Sequence, residues 1–184
     1  VLALAVLTAS TWMVYRGAVP AGQAVLAKVK ATEGRVATLQ KGEYQSLAIG
    51  DPVHQAERIK VPSGGYLALE LPDGNILEAR GGTQLALESY PDRFEVAMHQ
   101  GHLWVHLHAK SPKPFAVRTR QLIARDIGTV FGVEEGLDRT IVDVAKGIVE
   151  VTCGGTQTRV EAGRTYCSRT DATVGTRGLA VAWS

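Results

Sequence analysis

Between residues 114 and 151 apolar and polar side chains alternate in three successive runs, and that rhythm leaves a chain few ways to fold. The runs are Phe115/Val117/Thr119, the stretch 130–133, and 141–151, each closed by glycine or a charged turn. A period of two places alternate side chains on opposite faces of extended backbone, so the runs read as half-buried β-strands. The same texture continues upstream. In 66–71, Leu67, Leu69 and Leu71 share one face and Glu70 faces water; Asp73-Gly74 then reverses the chain, because that pair tolerates the left-handed backbone of hairpin turns. The run 75–79 returns, Gly81-Gly82 turns, and 84–88 alternates again. Runs 93–98 and 102–108 read as a further pair joined at His99-Gln100-Gly101. Turn signals recur every 8 to 12 residues or so, and 20 glycines supply turns for many short strands. The expectation is an all-β roll, solenoid-like coil or sandwich.

The first residues differ. Residues 1–15 are apolar apart from Thr8, Ser10 and Thr11, and Arg16 ends the run. As a helix the run measures roughly 22 Å, short of the ~30 Å hydrocarbon core, which suggests a membrane span truncated at its N-terminus. Trp12, Tyr15 and Arg16 fit an interfacial anchor, where amphipathic rings meet headgroups. A signal-peptide core and a buried helix are the alternatives. The first would ordinarily be cleaved away, and the second lacks a polar face. The organisation that results is a transmembrane helix over 1–16, a linker or juxtamembrane segment over 17–32, an all-β domain over 33–168 and a tail over 169–184.

Candidate chemistry is sparse. A net charge of +2, with basic residues spread along the chain, gives no stripe for nucleic acid. No Gly-x-Ser-x-Gly occurs, and the Gly-Gly pairs sit between strands instead of opening helices. Glu134, Glu135 and Asp138 surround a turn and read as solvated. Phe131 reads as core, and Gly128 beside Thr129 as a point where one strand passes close to another. The densest reactive cluster is HLWVHLH, in which His102, Trp104, His106 and His108 share one face. His106 and His108 would lie about 7 Å apart, near enough to share a metal ion if a third ligand joined them. The plainer reading is an exposed or interface-lining strand face. Neither an enzyme nor a cofactor is expected.

Pro114, Phe115, Val117 and Thr119, then Gly128, Thr129, Phe131 and Val133, then Val142, Val144, Gly147, Val149 and Val151 form an ordered pattern: PFxVxT, GTxFxV, VxVxxGxVxV. It resembles the periplasmic domain of the FecR family of membrane-anchored regulators, and positions from Gly34 to Gly163 fit along the way. The resemblance implies a single-pass protein of the bacterial inner membrane with its β domain in the periplasm. In that family the domain receives a signal by protein contact, typically from an outer-membrane receptor, and relays it to a cytoplasmic segment that binds a sigma factor. Protein partners in the envelope are therefore expected. The alternatives are a scaffolding subunit of an envelope complex, or a metal- or ligand-binding module using His102, His106 and His108. For Cys153 and Cys167 two readings stay open. One is two separate thiols; the other, which a periplasmic setting implies, is a bridge worth roughly 3 kcal/mol.

Overall fold

The computed structural model describes residues 24–40, 42–107, 113–126, 128–168 and 173–174. Every helix or strand among them is a strand. In chain order they are β1 (Val25–Glu33), β2 (Ala37–Gln40), β3 (Glu43–Ser46), β4 (Pro52–His54), β5 (Arg58–Lys60), β6 (Tyr66–Glu70), β7 (Ile76–Arg80), β8 (Gln84–Ser89) and β9 (Phe94–His106). There follow β10 (Phe115–Arg118), β11 (Leu122–Asp126), β12 (Val130–Glu135), β13 (Thr140–Lys146), β14 (Ile148–Cys153), β15 (Thr156–Glu161), β16 (Thr165–Cys167) and β17 (Thr173–Val174). The expected membrane span, with Trp12, Tyr15 and Arg16, lies outside the described residues. Among those described, no helix is long and apolar enough to cross a membrane.

Two sheets share one strand. Sheet A runs β4, β1, β6, β7, β9, β12, β13, β16, β17. Sheet B runs β3, β2, β5, β8, β9, β10, β11, β14, β15. All pairs are antiparallel except β9 with β10. The inward residues meet in one hydrophobic cluster: Leu67, Leu77, Leu103, Val105, Phe131 and Val142 from sheet A, and Ile59, Leu85, Val96, Phe115, Val117 and Val149 from sheet B. Phe131 is fully enclosed, as the alternation requires.

The pair expected at 93–98 and 102–108 is instead one strand of 13 residues, β9. Its first half pairs with β8 and β10 in sheet B and its second with β7 and β12 in sheet A. Opposite β8 the register jumps from Leu85↔Met98 to Gln84↔Gln100, so His99 is a bulge residue, and a bulge bends a strand without reversing it. Gly101 completes the bend with φ +98°, and a Cβ there would stand 2.4 Å from the Thr83 Cα. The buried Thr83 hydroxyl accepts the His102 N–H at 3.0 Å and so splices into the crossing.

The linker expected over 17–32 is a strand from Val25 onward. β1 pairs with β4 on one side and β6 on the other, burying Leu26, Ala27 and Val29 while Lys28 and Lys30 stay exposed. The run expected over 141–151 is two strands, β13 and β14, divided at Gly147. The close approach expected at Gly128 belongs to this glycine. Open space surrounds a Cβ at Gly128, whereas one at Gly147 would meet the Gly128 carbonyl oxygen at 2.6 Å. The bridge between the cysteines is not formed: Cys153 ends β14 in sheet B, Cys167 ends β16 in sheet A, and both thiols are free and half-buried.

Glu135, expected in solvent, is buried at the end of β12. Its carboxylate takes the Arg120 Nε–H at 2.9 Å and the Thr140 hydroxyl, and Thr140 in turn lies 3.1 Å from the Thr119 hydroxyl. A buried carboxylate needs such partners to remain charged. Pro114 leads into β10 and Phe115 opens it: the Pro114 carbonyl accepts the Phe94 N–H at 2.9 Å, and the Phe94 and Phe115 rings stack at 5.8 Å.

Candidate protein-interaction face

The outward face of sheet A gathers the polar and aromatic residues of four adjacent strands. Alternation along β9 turns Leu103 and Val105 into the core and His102, Trp104 and His106 outward. Cross-strand pairing sets Glu78 of β7 directly beside Trp104 on one side and Gly132 of β12 on the other, with Asp143 of β13 next in line. Gly132 has no side chain to fill the row. Trp104 lies over it, so close that a Cβ there would stand 3.1 Å from the indole Cε2. Glycine within a strand commonly marks such an approach. The half-buried indole thus lies against backbone while part of it remains open to solvent.

Charged groups surround it. His102 Nδ1 stands 3.9 Å from Glu134 Oε2, and His106 Nε2 stands 3.7 Å from Glu78 Oε1. The Thr165 hydroxyl donates to Asp143 at 2.5 Å. On the neighbouring strand the Arg80 guanidinium covers the Tyr66 ring at 5.6 Å. Burial, and after it the Glu78 charge, pushes the Tyr66 phenol above its ordinary pKa. Among the described residues the metal reading finds no third ligand: His102 and His106 face different carboxylates on opposite sides of β9. His108 lies outside the described residues. Among those described, no group of three or more His, Cys, Asp or Glu could hold a metal ion.

The outward face of sheet B is built differently. Small residues there leave a cleft of about 370 Å³ with Ala116 in its lining, beside Tyr90, Arg93, Glu95, Arg118, Ile123 and Arg125. Glu95 is 3% exposed and takes Arg118 Nε–H and Arg93 Nε–H, the latter at 3.3 Å. Arg118 also reaches Glu88 at 3.5 Å, and Tyr90 donates its phenol proton to that same carboxylate. The hydrogen bond to Glu95 holds the Arg118 guanidinium above its ordinary pKa, and the bond to Glu88 does the same for the Tyr90 phenol.

Sequence reasoning found His102, Trp104 and His106 as one face. It missed Glu78, Gly132 and Asp143, which join them only through strand order. Gly132, a glycine inside an alternating run, is the one signal that pointed to the contact.

Comparison with known proteins supports this architecture. The model of the FecR protein family matches residues 57–150, from β5 to β14, a span that includes Glu78, Trp104, Gly132, Glu134 and Asp143. Two crystal structures, at 1.65 and 2.50 Å resolution, of a candidate anti-sigma factor from Parabacteroides distasonis ATCC 8503 are similar, each with 26% identity and a TM-score of 0.58. Each match covers 65% of this chain and 59% of the other, so the chain spans less than two thirds of that protein's length. No curated protein matches the chain. With the family model matching just over half of the chain, and with the glycine crossings and all but the last residue of the PFxVxT, GTxFxV, VxVxxGxVxV pattern in the matched span, the chain belongs to the FecR family.

Proposed function

We propose that this chain is the periplasmic docking domain of a sigma-regulator-like signalling protein, held to the bacterial inner membrane by a single helix ahead of β1. Family membership, with the likeness to a candidate anti-sigma factor, is the observation that carries the reading. The Trp104 face agrees with it: a partly exposed tryptophan is among the side chains enriched at interface hot spots. The domain acts by surface contact and not by bond-making.

The test is to express the full-length protein in a bacterium that carries it, fractionate the cell, and extract membranes in mild detergent. The reading expects the protein in the inner-membrane fraction, an envelope protein co-purifying with it, and altered sigma-dependent transcription when its gene is deleted. Recovery from the cytosol without detergent, or unaltered transcription on deletion, overturns it. A partner that co-purifies with no transcriptional effect points to the scaffolding role instead.

A further inference from the structure

We propose that the Trp104 face receives an arginine side chain from a partner polypeptide, its guanidinium stacked on the indole and paired with carboxylates of Glu78, Glu134 and Asp143. The inference rests on the docking role proposed above and names the chemistry of the partner.

Charge decides the class of occupant. Around Trp104 stand three carboxylates on three strands, and the imidazoles beside two of them stand beyond hydrogen-bond distance, at 3.9 and 3.7 Å. Arg80, the cation on β7, is turned onto Tyr66. The carboxylates of Glu134 and Glu78 remain 44% and 31% exposed, so they can be reached from solution. An acidic or purely apolar segment would meet repulsion or leave these charges desolvated without a partner.

Geometry narrows the cation. A cation over an indole gains attraction from the ring face, and the planar guanidinium can stack there while its N–H groups point outward in the ring plane. Directly opposed cross-strand side chains have Cβ atoms about 5 Å apart and diagonal ones about 7 Å, so Glu78 and Glu134 lie within reach of a group on Trp104. Ammonium offers no plane to stack and carries a tighter hydration shell, which favours arginine over lysine.

The experiment follows the Trp104 indole N–H resonance of the full-length protein in detergent, assigned with Trp104→Phe, during titration with acetyl-Gly-Arg-Gly-amide. A saturable shift is expected, at least threefold weaker with lysine in place of arginine and absent with the neutral isostere citrulline. Combining Glu78→Gln, Glu134→Gln and Asp143→Asn weakens it at least tenfold, while Arg125→Ala, on the opposite sheet, leaves it unchanged. These amide variants keep side-chain size and lie at the surface, so an unaltered melting temperature separates lost contact from lost fold. A resonance that does not move, moves equally with citrulline, or is indifferent to the amide changes overturns the proposal. So does a shift that appears without peptide on raising protein concentration, which would make a second copy the occupant. A protein that carries the triple change together with Trp104→Ala and still regulates transcription and holds its envelope partner would leave the docking role standing and this inference refuted.

Discussion

The two outward faces share a strand and differ in how their charges are satisfied. On sheet B, Glu95 is enclosed by Arg93 and Arg118, Glu88 is met by Arg118 and Tyr90, and Arg159 stands 3.4 Å from Glu150. On sheet A, Glu78 and Glu134 have imidazoles at the far limit of ion-pair distance, and the aromatic group rests on backbone. One face answers its own charges and so serves the fold. The other keeps Glu78 and Glu134 partly exposed and so suits a partner. Polar groups on a sheet divide in this way because a buried charge left alone is costly, whereas an exposed one is hydrated until something replaces the water.

The largest expected effect tests the layer between the faces. Phe131→Ala should cost about 3–5 kcal/mol in chemical denaturation, since the ring is fully enclosed at the junction of β9, β12 and β13. A midpoint unchanged from wild type would mean the faces do not depend on a common core. Next, Gly101→Ala forces a Cβ toward Thr83 at a positive φ, and should cost about 1–3 kcal/mol through strain alone, with both faces loosened together.

The contrast itself is tested by paired changes. Glu95→Ala strands two arginines that are each more than a third exposed, so the cost expected of a buried pair is reduced by solvent to about 1–3 kcal/mol. Glu134→Ala on the other face should stay within about 0.5 kcal/mol. Equal losses would erase the distinction drawn between the sheets. The smallest effect is expected at Gly132→Ala, under about 1 kcal/mol, because the added methyl group lifts an indole that has solvent to move into. Its signature is a red shift in Trp104 emission, read against Trp104→Phe.

Much of this was legible in the chain itself. Leu67, Leu69 and Leu71 alternate into the core as written, Asp73-Gly74 turns where expected, and Phe131 is where its run puts it. What misled was punctuation. His99-Gln100-Gly101 looks like a hairpin turn because bulges and turns draw on the same residues, and only the pairing of β9 with both sheets distinguishes them. Pro20 and Gly22 gave 17–32 the look of a linker and hid the core-facing Leu26, Ala27 and Val29 behind them. Glu135 looked solvated beside Glu134, although neighbours on a strand point to opposite faces, and its partners are Thr140, directly across the hairpin on β13, and Arg120, from between β10 and β11. The Trp104 face was half visible: its β9 residues share a run, but Glu78 and Asp143 reach it only through tertiary pairing.

The bulged strand has a mechanical corollary. Because covalent backbone runs unbroken from Phe94 to His106, the layers cannot slide past each other as separate plates, and a pull exerted at Trp104 is carried by peptide bonds toward the arginine lattice around Glu95. A body wired in this way transmits load with little slack.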